Sequence, residues 1–500
     1  MSRVPSRPSL ALLLALTALL ALAAVPAAAA RKASKPNIVV IMSDDQRQDD
    51  MIAMPKTKRL LGATGTTYRN SYVSYSLCCP SRTTFLTGQY SHNHHVIWNF
   101  PPEGGYPVFR KLGQRNTLPV WLQRAGYTTG LIGKYLNEYG EANPREIPPG
   151  WSDWQGAIDP TTYGQYDYKM NINGRVVRYG HRPRDYQTDV FAQRATDFIR
   201  RNSGRGHKPF FLWLTPNAPH TIAVQENGRR EGTPAFPPPR YAHNRFSNAQ
   251  IPRKPNFDEA DVSDKPKIIQ GFPRVTGAYL KLATAHYRGR LGALLGVDDM
   301  VQRVVDQLRR SGQLRNTLVI YTSDNGWLLG EHRIVGQKFF GFEESIRVPL
   351  LISGPGFARD RVARDPAMNV DLAPTIAAAA GARTGRPQDG YALQRVRPNS
   401  LLNRNMVVET GKNSYGIPYY SGFHTLRWHY EDITTPKTSL TAYGKEDELY
   451  DLKRDPFELT NVAHDPRYAP ALAEIKRRLA TLRRCKGRSC HLVRSGPPGP

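Results

Sequence analysis

The sequence predicts an α/β sandwich built on a large, mostly parallel sheet, with a smaller C-terminal α+β subdomain that carries an antiparallel sheet. Three observations support that prediction. Four short apolar runs each stop abruptly at polar or charged residues, helical patterns lie between them, and after about Arg386 the texture changes to short alternating segments.

The four runs are "PNIVVIMSDDQ", ending at Asp44 and Asp45, "YTTGLIGKY", ending at Lys134, "HKPFFLWLTPNAPH", ending near His220, and "NTLVIYTSDNG", ending at Asp324 and Asn325. Continuous apolar runs of this length fit strands buried on both faces of a parallel sheet. In "VDDMVQRVVDQLRRSG", Val297, Val301, Val304, Val305 and Leu308 fall on one helical face, and Gly312 is placed to end the helix. Strands alternating with helices make a layered α/β unit. Open sheets of this kind bind ligands beyond the carboxyl ends of their strands, so the four polar endings should share one edge.

Residues 233–277 are rich in proline and charge and read as a surface insertion near that edge, either substrate-shaping or simply solvated. Farther on, "NMVVETG", "YSGFHTLRWHYE" and "DELYDLKRDP" read as antiparallel hairpins, covered by a helical "APALAEIKRRLATLRR". The length exceeds that of a usual single core. The expected plan is a catalytic unit over 31–385, a subdomain over 386–484 and a basic tail over 485–500.

At the N-terminus, Arg3 and Arg7 precede "LALLLALTALLALAAV" and then "PAAAARKA". This is the pattern of a signal peptide over residues 1–30, cut near Ala30, which makes the mature chain exported, secreted or displayed at the cell surface. The run is short for a spanning helix, a retained anchor being the alternative, and the later "TIAAAAGA" is only a small-residue helix. Lys plus Arg number 69 against 42 Asp plus Glu, and the net charge of +27 becomes +25 once Arg3 and Arg7 leave. In an exported protein this excess suits anionic substrates or cell-surface polyanions better than nucleic acid, with arginine-favouring coding as the competing explanation.

The chain has four cysteines. Cys485 and Cys490, in "RRCKGRSCHL", are expected to be bridged in an oxidising compartment. Cys78 and Cys79 are adjacent, a strained geometry for a mutual bond, and no Cys/His set has zinc spacing. Asp44, Asp45, Asp324 and Asn325 offer hard oxygen ligands. Adjacent carboxylates repel unless a cation neutralises them, and oxygen ligation favours Ca²⁺, with Mg²⁺ as the second choice. Either pair alone would read as a turn or helix cap; on one sheet edge they read as a metal site.

"CCPSRTTFLTG", from Cys78 to Gly88, resembles the signature of the type I sulfatases, matching at Cys78, Pro80, Ser81, Arg82, Leu86, Thr87 and Gly88. The likeness extends through "HNHHV", "GKYLNEYG", "VDDMV", "YTSDNG" and "GQKFFGFEESIRVPLLISGPG" to "ELYDLKRDPFELTNVAHDP". "GKYLNEYG" and the doubled cysteine are similar to the branch containing the N-acetylglucosamine-6-sulfatases and heparan endosulfatases. The resemblance implies an alkaline-phosphatase-like fold and a Cys78 oxidised to formylglycine by a separate maturation enzyme before folding. It also implies a gem-diol at position 78, one hydroxyl attacking sulfur in line and the other losing its proton as the aldehyde is restored and sulfate is released. A shielded sulfate ester needs such a strong nucleophile and compensation of its charge. By family position Arg82 fixes the diol, Lys134 and Lys338 contact the sulfate and the bridging oxygen, and His220 assists the leaving group. The implied metal ligands are Asp44, Asp45, Asp324, Asn325 and the modified Cys78. Cys79, at the variable position, is expected to be a small packed residue.

One departure stands out. Where many sulfatases carry Gly-Lys-Trp-His, Gly133 to Leu136 read Gly-Lys-Tyr-Leu, so the histidine usually assigned to deprotonating the sulfated diol is absent; His94 or His95 is the candidate to serve instead, or Asn137 merely holds the diol. No G-x-S-x-G elbow supports Ser81 or Thr83 as a hydrolase serine. The expected activity is hydrolysis of sulfate monoesters on N-acetylglucosamine-type sugars or glycosaminoglycan fragments. The alternatives are a simple aryl sulfatase, a phosphonate monoester or phosphodiester hydrolase, and a non-catalytic polyanion-binding surface protein.

Overall fold

The four apolar runs become four neighbouring strands of one sheet. In a computed structural model that describes residues 1–2, 35–204, 206–226, 229–414, 416–437, 444–497 and 499, Thr317–Ser323, Asn37–Ser43, Phe210–Thr215 and Thr128–Gly133 lie side by side in that order. All are parallel: Asn37 pairs with Thr317 through to Ser43 with Ser323, Ile38 with Phe211, and Thr128 with Phe210. Asp153–Ala157 extends the parallel run, antiparallel pairs follow on both sides, and a parallel pair of Arg361–Ala363 with Thr66–Tyr68 closes one edge, giving ten strands among the described residues. The signal peptide expected over 1–30 lies outside the described residues apart from its first two.

The strands are apolar throughout because both faces are covered. Ile38, Val40 and Met42 pack into one core with Phe85, Trp121 and Ile376, while Val39 and Ile41 pack into the other with Phe198, Val301 and Leu308. Period-two alternation thus divides one strand between two cores, and burial of each such side chain stabilises by about 1.5–3 kcal/mol. Val297, Val301, Val304, Val305 and Leu308 form the buried stripe of the helix Gly277–Arg310, and Gly312 follows with φ of 66°. No helix of the described residues is long and apolar enough to cross a membrane.

The stretch 233–277 packs inward at Ile251, Phe257, Val262, Ile269 and Val275. Met406–Glu409, Tyr419–His424, Trp428–Thr435 and Gly444–Asp451 form a four-stranded antiparallel sheet. Leu479 and Leu482 of the helix Ala469–Leu482 join its core, as do Cys485 and Cys490, which are disulfide-bonded. These elements and the large sheet fall within one compact unit, Pro36–Pro500.

Glu448, buried in the small sheet, accepts a hydrogen bond from the Tyr450 hydroxyl. Burial and the neighbouring Glu431 carboxylate push its pKa up to about 8, against 4.5 for a free glutamate. The folded state therefore holds a proton that the unfolded chain releases, so stability is full below the unfolded value and declines as pH rises through the folded one. Glu448→Gln should flatten that decline: its melting temperature relative to wild type should rise between about pH 5 and about pH 9. Parallel melting profiles would refute this assignment.

Candidate active site

The register that pairs Ser43 with Ser323 also aligns the residues immediately beyond them. Asp44 and Asp324 leave the sheet together, and the Asp324 amide donates to the Ser43 carbonyl. Asp45 turns with φ of 64°, a left-handed conformation that aspartate tolerates better than most residues. Its amide donates to Asp324 Oδ1 at 3.0 Å, and Asn325 Nδ2 donates to Asp45 Oδ1 at 2.6 Å. Lys134 follows the strand Thr128–Gly133, and its ammonium reaches Asp44 Oδ2 at 2.5 Å. His220 follows Phe210–Thr215, with Nε2 3.5 Å from Asp45 Oδ2.

Cys78 is the first residue of a fully buried helix, Cys78–Thr87, ended by Gly88 at φ of 66°. Its side chain sits at the positive end of the helix dipole. Sγ lies 3.6 Å from Asp44 Oδ1 and 4.0 Å from Asp45 Oδ1, and Lys338 Nζ donates to it at 2.9 Å. The same ammonium pairs with Asp45. Arg82, one turn on and on the same helix face, donates from Nε to Asp324 Oδ2 at 2.7 Å, from Nη2 to Asp44 Oδ2 at 3.1 Å and from Nη1 to the Lys134 carbonyl at 2.9 Å. Cys79 turns away into the core with Phe85 and Leu86. The two cysteines thus have different environments.

Asp44, Asp45 and Asp324 are wholly buried. Burial alone would raise the pKa of Asp44, but Lys134, His220 and Arg82 outweigh it and hold the carboxyl below its ordinary range. At Asp45, Lys338 and His220 do the same. Burial, reinforced by Asp44, pushes the Cys78 thiol up to about 12, so an unmodified Cys78 is a neutral thiol and a poor nucleophile. Burial lowers the His220 pKa despite Asp45 and Asp44. His220 Nδ1 donates to the Thr221 carbonyl at 2.6 Å, leaving Nε2 to face the acidic cluster.

The residues fit a divalent cation. Donor atoms of Asp44, Asp45, Cys78 and His220 lie within 4.8 Å of one another, and the buried Asp45 Oδ2 and Asn325 Oδ1 accept no hydrogen bond. Buried acceptors left unpaired are costly unless something else satisfies them.

Asp44, Asp45, Cys78, Arg82, Lys134, His220, Asp324, Asn325 and Lys338 therefore converge through the contacts above. The candidates for the missing base are placed differently. His94 is buried with Nε2 on Thr84 Oγ1 and Nδ1 accepting from the Val96 amide, while His95 is exposed. Leu136 belongs to the core. Asn137 donates to the Tyr163 hydroxyl at 2.6 Å, and the Tyr163 ring lies 4.8 Å from Lys134 Nζ and 5.0 Å from the His220 ring. Tyr163 and Trp327, whose ring lies 5.5 Å from Lys338 Nζ, are not among the residues the sequence singles out. Neither belongs to the strand-end motifs, although Trp327 follows Asn325 by two positions.

Comparison with known proteins agrees with this architecture. A family described as sulfatase matches residues 36–382, and one described as N-sulphoglucosamine sulphohydrolase, C-terminal, matches residues 330–485. An arylsulfatase of Volvox carteri is 34 % identical over 91 % of this chain and 76 % of its own length. The N-acetylglucosamine-6-sulfatase of Homo sapiens is 32 % identical over 93 % of this chain and 87 % of its own. A solved structure of a protein in complex with its substrate D-glucosamine-2-N,6-O-disulfate superposes with a TM-score of 0.70 at 24 % identity, over 89 % of this chain and 97 % of that one. That superposition supports the alkaline-phosphatase-like fold expected from the sequence. The family match, spanning most of the chain, leads to one conclusion: the chain belongs to the sulfatase family and is a sulfuric ester hydrolase.

Proposed function

We propose that this enzyme hydrolyses sulfate monoesters on N-acetylglucosamine-type sugars or glycosaminoglycan fragments, using formylglycine made from Cys78 and a bound Ca²⁺, with Mg²⁺ as the second choice. One observation carries the reading: Cys78 stands at a helix N-terminus between two buried aspartates and the Lys338 ammonium, with Arg82 one turn behind it. The substrate class is supported by the named relatives and by the basic excess of the chain. The N-terminal pattern of a basic stretch, an apolar run and small residues supports export, with conversion of Cys78 by a maturation enzyme preceding folding.

Asp44, Asp45, Asp324, Asn325 and residue 78 would hold the cation, which supplies charge neutralisation and Lewis-acid polarisation when bound. An aldehyde at position 78 supplies, as its hydrate, the oxygen nucleophile that a buried neutral thiol lacks. The remaining work belongs to side chains already in place. Arg82 ties Asp44, Asp324 and the Lys134 backbone together and so sets the distance between the helix and the three strand ends. The Lys134 ammonium pairs with Asp44 and the Lys338 ammonium with Asp45, and both can bind sulfate oxygens as negative charge shifts to the ester oxygen. His220, with Nδ1 held by the Thr221 carbonyl, presents Nε2 as the atom that exchanges a proton with the leaving alcohol.

Mass analysis of the tryptic peptide spanning Cys78 should show formylglycine in active enzyme, and unmodified thiol in fully active protein would sink the mechanism. Cys78→Ala should lose activity by a factor on the order of 10⁴ or more, while Cys79→Ala should keep it; the reverse pattern would show that the register is wrong. Metal analysis should find about one calcium per chain in the parent enzyme and a clear loss in Asp45→Asn; equal content in both proteins would remove Asp45 from the ligand set. Parallel assays with nitrophenyl sulfate and a phosphodiester analogue should favour the sulfate ester, and the opposite preference would replace this reading with the phosphodiesterase one.

A further inference from the structure

Lys338 enters the site on a stretch that has little regular structure of its own, between the short strand Val335–Gln337 and the four-residue helix Glu343–Ile346. On the side of Cys78, the Phe339 amide donates to the Ser76 carbonyl at 3.2 Å, the Ser345 and Ser76 hydroxyls meet at 2.6 Å, and the Gly326 amide donates to the Ser345 carbonyl at 2.8 Å.

A second hold comes from the small sheet. His429, on the strand Trp428–Thr435, is buried between two carboxylates: Nδ1 is 2.5 Å from Glu458 Oε1 and Nε2 is 3.2 Å from Glu431 Oε1. Each carboxylate in turn meets the Lys338 segment. Glu458 Oε2 accepts from the Glu343 amide at 3.1 Å, and Glu431 packs directly against Gly341. The fit at Gly341 is close enough that a Cβ there would come within 1.6 Å of Glu431 Oε1 and 3.0 Å of His429 Nε2. Burial opposes protonation of His429, but Glu458 and Glu431 outweigh it and raise its pKa well above the ordinary histidine range. Both ring nitrogens therefore donate. Without the imidazolium, two buried carboxylates would face each other, one would take up a proton, and a neutral carboxyl grips an amide less strongly than a carboxylate does.

We infer that His429 is a positioning residue, an imidazolium clasp that acts through Glu431 on Gly341 and through Glu458 on Glu343 to hold Lys338 over Cys78. Its effect on turnover rests on the reading of Lys338 as a sulfate-contacting group; its effect on the segment does not.

The test uses the full-length, converted enzyme with His429→Gln and the milder Glu431→Gln. Amide hydrogen exchange should accelerate by about ten-fold or more at Gly341 in both variants and also at Glu343 in His429→Gln, while the strands Asn37–Ser43 and Thr317–Ser323 keep their protection. In turnover of nitrophenyl sulfate, each variant should raise KM and weaken inhibition by inorganic sulfate, and neither should add to the loss caused by Lys338→Ala when combined with it. Unchanged exchange at Gly341 and Glu343, or additive losses in the double variants, would overturn the clasp. If Lys338→Ala alone costs no activity, the proposed role of Lys338 fails, and the exchange measurement still decides whether His429 orders the segment. Should His429→Gln fail to fold, Glu431→Gln alone decides the Gly341 half of the claim.

Discussion

Three buried carboxylates at the ends of two adjacent parallel strands are the constraint on which the rest of the site depends. Asp44, Asp45 and Asp324 are entirely removed from water, and charges so placed are tolerable only when paired and hydrogen-bonded. The compensating cations come from three separate parts of the chain. Arg82 belongs to the helix Cys78–Thr87, Lys134 to the end of a strand, and Lys338 to a segment braced against the small sheet. Breaking one partner of such a buried set typically costs about 3–5 kcal/mol. The electrostatics of the site and the packing of the fold are for that reason a single problem: each positive group that meets a carboxylate also locates the element that carries it.

The same balance bears on how an anionic ester is received. Within the site, three acidic groups face Arg82, Lys134 and Lys338, so the protein groups nearly cancel. The large positive excess of the chain lies elsewhere and acts at a distance, raising the local concentration of polyanions through the long-range field. Local attraction for sulfate then depends on a bound cation and on how freely the two lysines can turn from carboxylate to substrate. Tyr163 and Trp327, whose rings flank the two ammoniums, limit that freedom without adding charge.

The small C-terminal sheet belongs to this arrangement rather than standing beside it. His424 of the sheet pairs with Glu343 of the segment Gly341–Ile346, and His429 pairs with Glu458, whose other oxygen accepts the Glu343 amide. That segment in turn receives the Gly326 and Trp327 amides, next to Asn325. The back of the active site is therefore held by residues 81 to 115 positions farther along the chain from Glu343.

What the sequence by itself determined was whatever depends on local pattern. Apolar runs with abrupt polar endings specified buried parallel strands, because both faces of such strands must exclude water. The Cys78-to-Gly88 motif distinguished Cys78 from Cys79, and two of the four strand endings named the acidic cluster. Only the tertiary structure decided the rest. The pairing of Ser43 with Ser323, which brings Asp44 beside Asp324, is a choice of register between strands far apart in sequence. Tyr163 and His429 carry no local signal, since an aromatic residue in a loop or a histidine in a strand reads the same whether it packs idly or braces a lysine. His94 shows the converse: it stands in a suggestive histidine cluster, yet Thr84 and the Val96 amide engage both its ring nitrogens. The physical reason is the same in each case. Short-range sequence sets which side chains are available and which face they occupy, whereas the partners of a buried charge or ring are fixed by the close packing of elements that only the folded chain brings together.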